Sequence, residues 1–121
     1  MKPLLSTELP NFLKRFGDFV DAEIRSMEAI SPTVIQVVIA AQDSARGFDW
    51  LSISLEFSNI TDAKLINNSK LSLVDMSEGL TLFFQDNYFV LSINNYNNLS
   101  SVKDALFYII SSSIKYEEGL F

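Results

Sequence analysis

The chain contains no histidine and no cysteine. Without histidine there are no Ser–His or Cys–His nucleophile pairs, no imidazole metal ligands, and none of the side chains best suited to act as a base near neutral pH. Without cysteine there are no disulfides, thiolate metal sites or thiol catalysis. Glycine is scarce, with four in the whole chain, and neither GxxxxGK[ST] nor GxGxxG occurs, so no phosphate-cradling loop is legible. The Asp-x-Asp-x-Asp-Gly calcium pattern is also missing. No apolar run reaches the roughly 18 residues of a membrane-spanning helix. The opening MKPLLSTELPNF lacks the apolar centre of a secretory signal. The expectation is a cytoplasmic protein with no cofactor, no metal and no membrane association. Basic residues are few as well, nine against fifteen acidic, for a net charge of −6. Direct nucleic-acid binding needs a basic stripe that displaces counterions, and this balance disfavours it.

What is present fits one globular domain over residues 1–121. Apolar residues make up 48% and charged residues 20%, so the chain can bury a core. Ten Phe, four Tyr and one Trp supply bulk for it. The negative charge is uneven: residues 41–80 hold three basic and six acidic side chains, half of the net excess. One reading is ordinary solubility. The sharper one is an acidic patch that meets a basic partner.

Local patterns point to an α+β fold, mainly antiparallel β-sheet with a short N-terminal helix. Leu9, Phe12, Leu13 and Phe16 follow helical spacing, which predicts a helix at about 7–16, with Ser6 or Thr7 as cap, Pro10 in the first turn and Gly17 as stop. About 22–30 reads as a strand, broken at Ser31-Pro32. TVIQVVIAA, from Thr33 to Ala41, reads as a central strand, and the short break between the two suggests a hairpin. QDSARGFD (Gln42 to Asp49) reads as a loop. Trp50 to Phe57 alternates cleanly, with Leu51, Ile53, Leu55 and Phe57 on one face and Trp50, Ser52, Ser54 and Glu56 on the other. Short extended pieces are expected near Ala63–Ile66 and Leu71–Val74, with a turn at Asn67-Asn68-Ser69. Gly79 opens a strand from Leu80 to Gln85, Asp86-Asn87 makes a two-residue hairpin turn, and Tyr88 to Asn94 pairs back. The polar NNYNNLSS is a loop. Ala105 to Tyr116 fits a helix or a strand. The serine run and the β-branched and aromatic residues favour a strand, with Leu106, Tyr108, Ile110, Ile114 and Tyr116 on one face. Sequons at Asn59, Asn67 and Asn98 read as loop chemistry.

Carboxylates are the chemistry left. A two-acid hydrolase or a magnesium site would need convergent Asp and Glu. Asp43 and Asp49 flank one loop, Asp75 and Glu78 lie three apart in another, and Asp86 tips a hairpin, none at a diagnostic spacing. The plain reading of these acids is solvated loop ends and turn-forming side chains. Trp50 suits packing or an aromatic anchor in a binding surface, and Tyr96 suits an exposed contact. Arg25 and Arg46 read as salt-bridge partners.

Three segments in succession, FVDAEI at Phe19–Ile24, then FDWLSISLEFSNITDAKL, then SKLSLVDMSEGLTLFF, resemble small bacterial proteins with an xHDAEI-type opening strand and a later W-x-x-I-x-L-x-F strand. Several such families are immunity proteins that accompany secreted or contact-delivered toxins. The resemblance spans about 19–93. Val20 stands where the pattern places His, which puts any role tied to that histidine in doubt, and no functional residue is carried over. It implies a non-catalytic binding protein that covers the active or substrate-binding surface of a toxin. A nuclease toxin is basic because its substrate is a polyanion, and an acidic inhibitor is steered to it. Asp43, Asp49, Trp50, Asp75, Glu78, Asp86 and Tyr96 are the expected contacts. The other readings are a scaffold forming a homo-oligomer through a strand edge and a carboxylate enzyme with two acids in one pocket.

Overall fold

The structure is a computed structural model that describes all 121 residues. About half of the chain is strand, in one antiparallel seven-stranded sheet, with a short helix near the N-terminus. The elements are β1 (Lys2–Pro3), α1 (Leu9–Arg15), β2 (Glu23–Ser31), β3 (Val34–Asp43), β4 (Asp49–Lys64), β5 (Leu80–Gln85), β6 (Tyr88–Ile93) and β7 (Tyr108–Leu120). Strand order is β2-β3-β4-β7-β6-β5. β7 is the hinge of the sheet. One of its sides pairs with β4 from Leu51↔Leu120 to Lys64↔Tyr108. The other side is shared: β6 takes Ile109–Ser111, and β1 takes Lys115 and Tyr116.

The strands form where alternation is cleanest. Leu51, Ile53, Leu55 and Phe57 of β4 face Ala41, Ile39, Val37 and Ile35 of β3 in register, and all eight are buried in the main core cluster of 25 residues. α1 lies on that core face. Leu9, Phe12 and Phe16 point down into it, as their spacing predicts. Phe12 meets Phe16 and Tyr116 edge-on, both at 5.2 Å, and Phe16 stacks on Phe19 at 5.7 Å. Phe12, Phe16 and Phe19 are buried, each contributing on the order of 2–3 kcal/mol from area alone, whereas Tyr116 is partly buried. A satellite cluster of Val90, Val102, Tyr108 and Ile110 sits apart from the main core, with Tyr96 and Leu99 against it.

Left-handed residues bound β5 at both ends. Asp86 (φ 52°) and Asn87 (φ 68°) are both left-handed, as a two-residue type I′ turn requires. Gly79 (φ 75°) leads into β5, and a Cβ there would lie 2.1 Å from the Asp18 carbonyl oxygen, so only glycine fits. The Asp21 N–H donates to the Met76 carbonyl at 2.8 Å, which brings the 18–21 segment beside 76–79.

Several expectations change. Ser6 and Thr7 do not cap the helix: both lie inside a 3₁₀ turn at Ser6–Glu8, and α1 starts only at Leu9, with no side-chain cap. β3 and β4 extend into the expected loop, which shrinks to a 3₁₀ turn at Ser44–Arg46 and the residues Gly47 and Phe48. β4 runs on to Lys64, because β7 is long enough to pair with it from Leu51 to its end. Asn59 therefore lies within a strand rather than a loop, with φ of 57°. Leu71–Val74 is not extended: Asn68–Leu73 is a 3₁₀ helix, nucleated by the Asn67 carboxamide oxygen accepting from the Ser69 N–H at 2.9 Å. The 105–116 strand forms, but its expected single face is split. Ile114 and Tyr116 touch the main core, while Tyr108 and Ile110 belong to the satellite cluster, and Leu106 is exposed before the strand begins. The register of β4 against β7 slips between Ile60 and Asp62, and a one-residue slip exchanges the two faces.

Candidate protein-interaction surface

The main core and α1 cover one face of the β2-β3-β4-β7 sheet; on the other, the satellite cluster covers only the Tyr108–Ile110 end of β7, and the rows from Glu23 to Lys115 lie outside both clusters. Register alone assembles that outer face. One row reads Glu28–Gln36–Glu56–Lys115, the next Ser26–Val38–Ser54–Glu117, the next Glu23–Ala40–Ser52–Gly119. Four glutamates from three strands thus share a surface of otherwise small or neutral side chains, with Lys115 as the one cation in these rows. None of these glutamates forms an ion pair with Lys115.

The face ends in aromatics. Trp50, paired with Gln42 across β3, packs against Phe121 with ring centroids 5.6 Å apart, and the Arg25 guanidinium lies 4.7 Å over the Phe121 ring. Phe48, Trp50 and Phe121 are exposed by 62%, 40% and 62%. Phe48 holds φ at 66°, an unusual backbone for a bulky residue and one that costs on the order of 1–3 kcal/mol. Its N–H bonds the Asp43 carbonyl at 2.8 Å, which fixes the turn while the ring stays in solvent. Exposed rings of this kind serve as anchors in interfaces.

The expected contact residues are dispersed. Asp49 is exposed beside Trp50 at the aromatic end. Asp43 is fully buried: Arg15 grips it through two bonds, Nε to Oδ1 at 2.9 Å and Nη2 to Oδ2 at 2.7 Å, and Arg46 lies 3.5 Å away. It also accepts from the Ala45 N–H at 2.9 Å. Asp43 therefore has no surface to offer a partner, and it is corrected to a structural clasp that ties the end of α1 to β3. Glu118 completes the clasp, 2.6 Å from Arg15 and 3.4 Å from Arg46. The Arg15 hydrogen bonds hold the Asp43 carboxyl below its ordinary range despite burial, and the bond to Asp43 keeps the Arg15 guanidinium protonated. Asp75 is exposed and caps its own turn, accepting from the Ser77 N–H at 2.9 Å; that bond lowers its carboxyl. Glu78 is exposed and accepts from Asn95 at 3.5 Å. Asp86 is exposed at the hairpin tip, separated from Glu78 by the length of β5. Tyr96 is half-buried against the satellite cluster, and its carbonyl accepts from the Ser92 hydroxyl at 2.6 Å.

Arg46 is a salt-bridge partner, as expected, whereas Arg25 stacks on an aromatic ring instead. The same clusters hold a further acid. Asp62 accepts from the Tyr108 hydroxyl at 3.0 Å and lies 3.3 Å from Lys103. Burial alone would raise its carboxyl, but these two partners outweigh it and hold it low, while burial and Asp62 raise the Tyr108 phenol. The expected acids share no cavity, and no three acidic side chains converge. No helix is long and apolar enough to cross a membrane.

Sequence pattern did not single out Glu23, Glu28, Glu56 or Glu117. Their alternation with buried residues was visible within each strand, but their meeting on one surface depends on the order β2-β3-β4-β7. Comparison with family models, curated proteins and solved structures finds no match in any of the three.

Proposed function

We propose that this is a non-catalytic binding protein of the bacterial cytoplasm, an immunity protein that neutralises a basic toxin domain by covering its active or substrate-binding surface. The observation that carries the reading is the uncovered, glutamate-bearing sheet face that ends in Phe48, Trp50 and Phe121. A net negative charge, four glutamates against Lys115 and Arg25, raises the rate of encounter with a basic surface and repels like-charged competitors. The aromatic end supplies desolvated contact area, which sets the lifetime of the complex. The dispersal of the other carboxylates weighs against a two-acid enzyme, whose chemistry needs both groups within one cleft.

The test is co-expression with the toxin-like product of a neighbouring gene, followed by measured affinity at low and high salt. The triple variant Glu28→Lys/Glu56→Lys/Glu117→Lys is expected to weaken binding at least about 100-fold at low salt and to abolish protection of the host cell. Trp50→Ala is expected to weaken it about tenfold or more, chiefly through faster dissociation. Circular dichroism should show both variants folded. Unchanged affinity and protection in the folded triple variant would overturn the reading.

A further inference from the structure

The two outer strands of the sheet end very differently. β2 has a 3₁₀ segment beside it, and the Asn68 carboxamide accepts from the Met27 N–H at 2.9 Å. β5 has no such guard. Leu80–Gln85 reads LTLFFQ, with no charge, no proline and no register irregularity. Its backbone bonds only to β6. The closing pair of a two-residue hairpin is a hydrogen-bonded one, so Gln85, Phe83 and Thr81 bond inward. Leu82 and Phe84 therefore turn their N–H and C=O groups outward, next to a groove of about 420 Å³ whose walls include Leu9, Pro10, Leu13, Leu82 and Phe84.

Charge decides what fits there. Between residues 71 and 102 the only ionisable acids or bases of the Asp, Glu, Lys and Arg kinds are Asp75, Glu78 and Asp86, and all three are exposed. Asp86 stands beyond the C-terminal end of β5, with Asp75 and Glu78 before its start. Asp18 and Asp21 join them, because their segment lies against Met76–Gly79. The nearby cation Lys14 does not line the groove. The edge is thus a neutral apolar strip with an acidic group at each end. A second copy laid antiparallel along β5 would place its Asp86 beside Glu78 of the first, and the repulsion disfavours it.

We infer that the free edge of β5 takes up an extended segment of a protein partner, one whose alternating apolar residues are flanked on both sides by Lys or Arg. Its backbone adds a strand to the sheet, its apolar side chains enter the groove beside α1, and its basic flanks meet Asp86 at one end and Glu78 with Asp18 at the other. The inference rests on the proposed function only for the basic character of the partner.

The probes are the synthetic peptides RKVTVTVKR, EDVTVTVDE and RKVTPTVKR, titrated into the whole protein and followed by fluorescence anisotropy and backbone amide NMR. The first is expected to bind and to shift the amides of 80–85 and of α1. The acidic peptide is expected to bind at least about tenfold more weakly at low salt, and the proline peptide, which lacks a central N–H, likewise. On the protein side, Glu78→Gln/Asp86→Asn should weaken RKVTVTVKR several-fold. Phe84→Pro should abolish binding, since an edge position with its N–H turned outward tolerates proline. Should Phe84→Pro unfold, Phe84→Lys serves in its place and is expected to weaken binding as well. Equal affinity for the basic and acidic peptides, shifts confined to residues outside β5 and α1, or a concentration-dependent dimer of the peptide-free protein through β5 would each overturn the inference. If the peptides fail while the toxin is still neutralised, only this inference falls. If they bind while the outer-face variants protect fully, the proposed function falls and the edge remains.

Discussion

β2 and β5 close the same sheet at opposite sides, yet only β2 is defended. β2 carries Glu23, Arg25 and Glu28, shifts register twice, between Ile24 and Ser26 and between Ala29 and Ser31, and gives the Met27 N–H to Asn68. Irregular pairing and charge are the usual means by which a protein keeps a strand edge from recruiting another chain. β5 lacks all of them and is bordered by α1 and by the close approach of Asp18 to Gly79. The difference teaches that exposure of an edge was managed strand by strand here, and that the unmanaged one is framed by acids rather than covered by them.

The largest expected effect breaks the approach to β5. Gly79→Ala puts a methyl against the Asp18 carbonyl in a left-handed conformation, and it is expected to cost about 3 kcal/mol or more. Urea denaturation measures it; a cost below about 1 kcal/mol would mean that the 18–21 segment does not press on β5 as described.

Next comes the clasp that holds the far end of α1, the helix forming the wall of the β5 groove. Asp43→Asn removes a buried charge from Arg15 and is expected to cost about 3 kcal/mol at neutral pH, at the low end for a broken buried pair because Arg15 keeps Glu118. The folded Asp43 carboxyl is depressed, so the unfolded chain binds the proton more readily. Its stabilisation is then fully present above the ordinary carboxylate value near 4, and it is lost as pH falls through the lower folded value. Thermal melts from pH 7 to pH 2 should show a shallower acid limb for Asp43→Asn than for the wild type. Parallel limbs would remove Asp43 from the acid response.

The smallest effect sharpens the contrast between the edges. Asn68→Ala strips the guard from β2 and leaves the Met27 N–H without its partner, at about 1–2 kcal/mol. Light scattering should then show more self-association than in the wild type. If it does not, the charges and register shifts of β2 suffice without Asn68.

Much of the fold is legible in the sequence. Period-2 alternation marked β4 because one face had to be apolar, and Asp86-Asn87 marked a hairpin because both residues tolerate left-handed backbone. The spacing of Leu9, Phe12, Leu13 and Phe16 marked α1. Asn68–Leu73 misled because short apolar and polar mixtures suit a strand or a 3₁₀ turn equally, and the choice fell to the Asn67 side chain. The surface was less legible. Asp43 looked like a loop carboxylate because its neighbours are polar, and Arg15, the residue that buries it, lies 28 positions away.

By itself the sequence determined the absence of imidazole and thiol chemistry, the acidic charge, the α+β class and most strand locations, since each depends on composition or on contacts within a few residues. Strand order, the meeting of Glu23, Glu28, Glu56 and Glu117 on one face, the burial of Asp43 and the bare edge of β5 were decided only by the tertiary structure. The physical reason is common to all four: each depends on which distant segments of the chain meet, and the local preference of a strand is the same whether it ends up in the centre of a sheet or at its rim.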